Sequence, residues 1–205
     1  MKSLSQDLGK NGNDYATEDT HEDLTLLGFW LYLMTDCLLF CALFATWAVL
    51  HNNTAGGPSA HDIIDLPYVL IETLCLLFSS TANGIAMMAL QRRNTRSLLG
   101  WLGLTGILGV FFVAMELHEF LHLIESGNGP QRSGFLSSFF TLVGTHGLHV
   151  SIGLLWLLTL WVQISRKGLT APIHSRLQRF SLFWHFLDLV WVAVFTFVYL
   201  IGGDL

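Results

Sequence analysis

Two glutamates and two histidines lie within two helical turns of one strongly apolar stretch, residues 115–122. On a helix that advances ~100° per residue, Glu116, His118, Glu119 and His122 fall within an arc of ~160°, so we expect one polar flank. His118, Glu119 and His122 also match the H-E-x-x-H pattern, in which two histidines bind zinc and the glutamate is a general base. One hypothesis from this stretch is therefore a zinc metalloprotease.

Six further ionisable or imidazole groups lie within other apolar stretches of the chain. Five of them, with Glu119, could form a path for protons or ions, but such transporters usually show broken spans and paired repeats, and this sequence shows neither. The commoner role of polar groups in a small membrane bundle is hydrogen bonding between helices. We therefore predict an interhelical polar framework, and no catalytic, cofactor-binding or metal-binding residue. The framework residues are Asp36, Glu72, Glu119, His146, His149, His185 and Asp188.

The composition is that of a membrane protein. Of the 205 residues 52% are hydrophobic and only 12% are charged, with a mean hydropathy of +0.54, whereas a soluble domain carries ~25% charged residues. The sequence has no basic patch that could neutralise phosphates, which argues against nucleic acid as a partner. We predict an all-α, polytopic membrane protein.

Five apolar stretches are long enough to cross a bilayer, which takes ~20 residues of helix. Residues 1–23 are polar and lack a hydrophobic period, so we predict a disordered cytoplasmic tail there. Residues 24–205 then form one membrane domain, a single bundle of five helices. The predicted spans are about 24–50, 67–90, 98–124, 135–164 and 181–201.

The basic residues predict the orientation of the bundle. Nine of the ten lysines and arginines lie in the tail and in the second-to-third and fourth-to-fifth connections, and only Arg132 lies on the other side. Basic residues favour the cytoplasmic side, so we expect a cytoplasmic N-terminus and a periplasmic C-terminus. Arg166 and Lys167, at the end of the fourth span, are a candidate contact for anionic lipid head groups, because cytoplasmic basic charge attracts such lipids.

A regular row of glycines follows the start of the third span, at positions 100, 103, 106 and 109. Such a row either permits close contact between helices or leaves a groove for a lipid chain. We expect close contact.

The predicted depths test the zinc hypothesis. His118 and His122 lie ~3 to 9 Å below the outer end of their span. Asp36 and Asp188 are predicted nearer the middle or the inner half of the membrane, so neither can easily be a third ligand at ~2 Å from the metal. Three residues of the predicted outer loop could still reach the histidine pair: His51, His61 and Asp62.

Two motifs resemble the signature of subunit III of haem-copper respiratory oxidases. They are Thr145–Val150, which reads THGLHV, and Trp184–Trp191, which reads WHFLDLVW. Gly28–Asp36 resembles the first shared helix of that family, and Glu119-Phe120 stands where the family has a glutamate followed by an aromatic residue. Two further stretches, Thr54–Pro58 and Gly129–Leu136, and the five-span length look most like the cytochrome o ubiquinol oxidase branch of bacteria.

The resemblance implies an accessory subunit of an aerobic respiratory chain in the bacterial inner membrane, without haem or copper of its own. Its main partner would be subunit I, which holds the haems and the copper, reduces oxygen to water with electrons from quinol and pumps protons; subunits II and IV would be further partners. Subunit III of this family stabilises subunit I, binds phospholipid in a cleft between its helices and supports proton uptake. Under this resemblance the H-E-x-x-H match is a coincidence.

The sequence departs from the long form of the family in two ways. It lacks that form's first two helices, which build one wall of the lipid cleft. It also has Asp36 where the long form has glutamate near a proton entrance, and the side chain is one methylene shorter.

Overall fold

The computed structural model describes residues 2–51, 53–54 and 66–201, with side chains from residue 24 to residue 200. Almost all of the described chain is helical, and this part contains no strand. The last α-helix continues as a π-helix, which widens its final turns. The helices are α1 Lys2–Leu50, α2 Leu66–Gln91, α3 Thr95–Glu125, α4 Gly134–Lys167 and α5 Ala171–Val194, and the π-helical segment is Phe195–Ile201.

The described residues contain five helices that are long and apolar enough to cross a membrane, as the fold class predicts. The apolar parts of the helices are Leu24–Leu50, Leu66–Gln91, Thr95–Glu125, Gly134–Lys167 and Ala171–Leu200. Each is at least 26 residues long, which at ~1.5 Å per residue exceeds the ~30 Å hydrocarbon core of a bilayer. The predicted orientation of the two termini stays a prediction.

Helix α1 begins at Lys2 rather than near residue 24, so helix covers residues where a disordered tail was predicted. A helix that is already nucleated gains one backbone hydrogen bond for each residue it adds, which favours extension into a polar neighbour. The predicted cytoplasmic location of this segment stays a prediction.

Helix α5 also begins earlier than predicted, at Ala171 instead of residue 181. A proline in its first turn explains the start, because proline lacks the N–H that would have no partner there and its φ is already helical. Arg176 and Arg179, predicted to lie in a connecting loop, therefore lie in the first turns of α5. Most of the predicted basic connector is helix.

Local capping explains where α3 and α4 begin and end. The Asn94 side chain accepts a hydrogen bond from the backbone N–H of Ser97 at 3.3 Å, and the Ser133 hydroxyl accepts one from Leu136 at 3.1 Å. These oxygens satisfy N–H groups that have no partner within the helix. Gly168 ends α4 with a φ of 70°, a left-handed conformation that glycine adopts without strain.

The chain divides into two compact units, residues 1–39 and residues 40–205. The second unit contains the end of α1 and the helices α2 to α5. Its surface carries many large apolar side chains, whereas its interior contains carboxylates, hydroxyls and an imidazole. This distribution suits a lipid environment, in which apolar surface needs no cover and polar groups need partners.

Candidate functional site

Four side-chain hydrogen bonds join α2 to α5 at successive levels of the bundle. We call them the α2–α5 ladder. In three of these bonds a buried indole or amide N–H donates to a hydroxyl oxygen. The fourth bond joins a hydroxyl and an imidazole. The ladder consists of Trp191 Nε1 to Thr73 Oγ1 at 3.1 Å, Trp184 Nε1 to Ser79 Oγ at 3.1 Å, Asn83 Nδ2 to Ser181 Oγ at 3.0 Å, and Ser80 Oγ with His185 Nδ1 at 2.7 Å.

A second set of hydrogen bonds joins α2 to α3. The Ser79 hydroxyl donates to the carbonyl of Thr105 at 3.1 Å, and the Thr105 hydroxyl donates to the carbonyl of Ser79 at 3.4 Å. Nearer the start of α2, the Tyr68 hydroxyl donates to the carbonyl of Met115 at 3.0 Å. Small hydroxyl residues therefore hold these two helices close together, as is usual in membrane bundles.

Three glutamates form a carboxylate cluster where α2 and α3 face the end of α5. The side chains of Glu72, Glu116 and Glu119 lie close enough for their charges to interact with one another. Glu72 is fully buried and Glu116 is 2% exposed, whereas Glu119 is only partly buried. The buried hydroxyl of Tyr199 donates to Glu119 Oε2 at 3.3 Å. The cluster thus combines groups from three helices.

The carboxylate of Glu116 rests directly on Gly147 of α4. A Cβ atom at position 147 would overlap both Glu116 Oε atoms. The glycine therefore provides the space that the carboxylate occupies. Glu116 was not among the predicted framework residues, because the spacing of residues 115–122 does not indicate which side of the polar arc faces the bundle.

His146 lies at the centre of an aromatic cluster. Its ring is fully buried and contacts Phe112 and Trp191, with ring centroids 5.8 and 5.0 Å apart. Neither ring nitrogen has a hydrogen-bond partner. His149, one turn later, is partly buried, and its Nδ1 lies 2.7 Å from the carbonyl of Thr145 on the same helix. His146 therefore packs against aromatic rings, whereas His149 is hydrogen-bonded within its own helix.

His185 and Asp188 lie on neighbouring turns of α5, both beside Ser80. The Ser80 hydroxyl bonds with His185, which is exposed, and it also lies within interaction range of Asp188. Asp188 is 7% exposed, and neither of its carboxylate oxygens has a partner at hydrogen-bonding distance. Of the predicted framework residues, His185 is thus the one with a direct bond in the α2–α5 ladder.

Asp36 belongs to the first unit of the chain. It is 7% exposed, and it shares a side-chain hydrogen bond with Tyr32, one turn earlier in α1. The Thr35 hydroxyl donates to the carbonyl of Tyr32 at 2.7 Å. The role of Asp36 in joining helices stays a prediction.

The H-E-x-x-H residues do not form a zinc site in the described part of the chain. His118 and His122 are exposed, whereas Glu116 turns into the bundle and Glu119 is partly buried. The expected polar flank is therefore divided between the interior and the surface. Among the residues that the structure describes, no three histidine, cysteine, aspartate or glutamate side chains could hold a metal ion together. The candidates His61 and Asp62 lie outside the described residues.

The glycine row of α3 gives both close contact and a groove. A Cβ atom at Gly109 would approach Leu154 Cδ2 to 2.9 Å, and one at Gly106 would approach Leu157 Cδ2 to 3.2 Å, so α3 and α4 touch there. A Cβ atom at Gly100 would meet nothing within 4 Å. The helices leave between them an open apolar groove of about 600 Å³, lined by Gly103, Gly106, Trp161 and seven aliphatic side chains. The expectation of close contact alone was thus incomplete.

Exposed basic residues lie beyond one end of this groove. Arg96 is six residues before the first lining residue of α3, and Arg166 and Lys167 follow the last lining residue of α4 by five and six positions. At ~1.5 Å per residue these charges lie ~8 to 9 Å along the helices from the groove. Trp161 marks this end, and its indole N–H donates to the carbonyl of Leu99 at 3.2 Å.

The fold and the polar side chains define a class of protein: a polytopic helical membrane protein in which buried hydroxyl, amide and indole groups join the helices. A protein-family model described as Cytochrome c oxidase subunit III matches residues 6–203. The chain therefore belongs to this family, and the resemblance deduced from the motifs is confirmed.

Curated relatives agree with the family. A Pseudomonas aeruginosa protein named Cytochrome bo(3) ubiquinol oxidase subunit 3 is 56% identical over 197 residues, which is 96% of this chain and 94% of that protein. A Buchnera aphidicola protein of the same name is 49% identical over 177 residues, which is 86% of this chain and 91% of the relative. A Bacillus subtilis protein named Quinol oxidase subunit 3 is 40% identical over 196 residues, which is 94% of this chain and 96% of the relative.

Proposed function

We propose that the chain is the accessory subunit III of a bacterial, proton-pumping haem-copper oxidase that oxidises ubiquinol and reduces oxygen to water. The observation that carries this proposal is the 56% identity, over nearly the full length of both chains, to a protein named as subunit 3 of a ubiquinol oxidase. Electron transfer then belongs to the complex, and the haems and the copper to subunit I.

The use of the polar side chains supports a non-catalytic role. Thr73, Ser79, Asn83 and Ser181 bond to groups within the bundle, and His146 packs among aromatic rings. Catalytic groups instead need access to a substrate and a partner in position to exchange protons. These interior hydrogen bonds fix the helices against one another, as a subunit that stabilises a larger neighbour requires.

The apolar surface supports assembly with other subunits of the oxidase. Leu38, Val49 and Ile107 are each at least 69% exposed, and the exposed apolar side chains extend over several helices. Such a surface can face lipid or the spans of another subunit at little cost in free energy. Subunit I is the proposed main partner, with subunits II and IV as further ones, in the inner membrane of the bacterium.

The groove between α3 and α4 supports lipid binding. Its walls are apolar along two turns of each helix, and Arg96, Arg166 and Lys167 lie beyond one end. An anionic phospholipid satisfies both features, with an acyl chain in the groove and its head group near the basic residues. This extends the predicted contact at Arg166 and Lys167 to a whole lipid.

A role in proton uptake is the part of the proposal that follows from the family. Asp36 stands at the acidic position of the shared helix, and it is buried within an apolar span. An ionisable group at such a depth is a default candidate for proton handling. We propose that Asp36 supports proton uptake by the complex during sustained turnover.

Purification of the tagged full chain in a mild detergent tests the proposed assembly. We expect haem bands in the reduced-minus-oxidised spectrum and a large multi-span partner in equal amount. A Glu119→Gln variant is a useful companion, because the zinc-protease alternative requires this general base for peptide cleavage, whereas an accessory subunit keeps the same spectrum and partner. A colourless single chain with stoichiometric zinc would contradict the proposal.

A further inference from the structure

Two of the clustered carboxylates are completely enclosed within membrane spans. Glu72 is 0% exposed and Glu116 is 2% exposed, and none of their four carboxylate oxygens has a hydrogen-bond partner. Carboxylates enclosed in a membrane interior are expensive when charged, because a medium of low dielectric constant solvates the charge poorly. No lysine or arginine lies within α2 or α3 between Pro67 and Gln91 or between Ser97 and Glu125.

Neighbouring groups make the charged form still less favourable. Glu119 lies within interaction range of both enclosed carboxylates, and like charges repel strongly in a medium of low dielectric constant. Two imidazoles lie near the cluster: His118, whose ring centroid is 6.3 Å from that of Tyr68, and His146, next to Gly147. Other titratable groups of the described residues interact with the clustered carboxylates. They are Tyr68 and Cys75 on α2 and Tyr199 beyond α5.

The bundle is nevertheless built to hold these groups. Gly147 of α4 leaves the space that the Glu116 carboxylate fills, and the ladder bond from Trp191 to Thr73 fixes the turn of α2 next to Glu72. The Tyr199 hydroxyl is bonded to Glu119, which is the partly exposed member of the cluster. The enclosed carboxylates need a ligand that neutralises their charge and fits without additional space. A proton meets both requirements.

We propose that Glu72, Glu116 and Glu119 form a buried proton-binding site, in which Glu72 and Glu116 are protonated at neutral pH and Glu119 is the group through which their protons exchange with the outside. Glu72 lies six residues after the start of α2, and Glu116 lies nine residues before the end of α3. At ~1.5 Å per residue the site is therefore ~9 to 14 Å below one face of the bundle.

Infrared difference spectroscopy of the complete purified protein tests the proposal. A protonated carboxylic acid has a carbonyl stretching band that is separate from the carboxylate bands and moves to lower frequency in D₂O. We expect Glu72→Gln and Glu116→Gln each to remove one such band from the parent spectrum at neutral pH. Glu125→Gln, which changes an exposed glutamate at the end of α3, is the matched control and should leave the carbonyl bands unchanged.

Exchange is tested in the same samples. We expect both bands to shift after transfer to D₂O, and Glu119→Gln to slow the shift without removing the bands. If a glutamine variant does not accumulate, Glu72→Asp and Glu116→Asp keep the carboxyl group and should displace the band. Carbonyl bands that are unchanged in the glutamine and aspartate variants would overturn the protonated state, and bands that never shift in D₂O would overturn exchange.

Discussion

At position 147, one missing methyl group decides where a carboxylate can lie. The Glu116 side chain occupies the volume that any other residue on α4 would take for its Cβ atom. Cores are packed so densely that a single added carbon must displace a neighbour. Gly147 and Glu116 are therefore coupled, although they lie on different helices.

We predict that Gly147→Ala destabilises the protein by ~1 to 3 kcal/mol, because the added carbon overpacks a filled site. Gly84→Ala is the control, since a Cβ atom there would meet nothing within 4 Å, and it should be neutral or slightly stabilising because alanine favours helix. Thermal unfolding in one detergent measures both. Adding Glu116→Ala to Gly147→Ala should recover part of the loss, and equal losses for both glycine variants would contradict the coupling.

The H-E-x-x-H stretch illustrates what residue spacing can and cannot predict. Helical geometry placed Glu116, His118, Glu119 and His122 on one arc, and that arc exists. Its two edges, however, face different surroundings: Glu116 is buried and His118 is exposed. Which edge faces the bundle depends on contacts with α2 and α4, such as the one with Gly147, and these lie far away in sequence.

At the scale of the helices, the α2–α5 ladder explains why these two elements stay in one register. Its bonds lie at successive levels of the same interface, and sliding one helix by a residue would break all of them together. Each bond is modest, averaging ~0.6 kcal/mol in membrane proteins. The ladder therefore contributes more to fixing the register of α2 against α5 than to the free energy of unfolding.

We predict a coupling free energy of ~0.6 kcal/mol, and at most ~1.7 kcal/mol, between Asn83 and Ser181 in a double-mutant cycle of alanine substitutions. Unfolding in a denaturing detergent measures each corner of the cycle. Thr81→Ala serves as control, because the exposed Thr81 hydroxyl bonds only to the carbonyl of Leu77 on its own helix. A coupling of zero between Asn83 and Ser181 would show that the ladder bond adds nothing to stability.

The helices were predictable to the extent that apolar runs define them. The ends of α2 and α3 agree with the predicted spans within a few residues, because polar and basic residues border the runs. The first ten residues of α5 were missed, since the helix there continues outside the apolar run and only Pro172 marks its start. The partners in the ladder could not be predicted, because a single sequence shows polar residues but not which of them meet.

At the scale of the whole molecule, charge is separated along the bundle. The turns between α2 and α3 and between α4 and α5 lie at the same end, whereas Arg132 lies at the other end. Basic residues lie in the first of these turns and in the helix ends that flank both: Arg92, Arg93, Arg96, Arg166, Lys167, Arg176 and Arg179. The glycine groove is near the basic end, and the carboxylate cluster is nearer the opposite end. The two ends therefore offer different chemistry to the two faces of a membrane.

We predict that replacing Arg166 and Lys167 together by glutamine lowers the amount of anionic phospholipid retained by the purified protein, because ~1 kcal/mol of attraction is lost per charge near the surface. Phospholipid analysis by mass spectrometry, per mole of protein, measures retention. Arg132→Gln removes an exposed basic charge at the other end and should retain the parent amount. Equal retention in the double variant would contradict lipid binding by these residues.

The ladder also determines when the bundle can close during synthesis of the chain. Its paired residues are 98 to 118 positions apart. At ~5 to 20 residues per second, the α5 partners are therefore synthesised roughly 5 to 24 s after the α2 residues. During that interval Thr73, Ser79 and Asn83 are in the membrane without their final partners. Closure of the bundle therefore depends on α5, which is synthesised after the other described helices and supplies the partners of these α2 side chains.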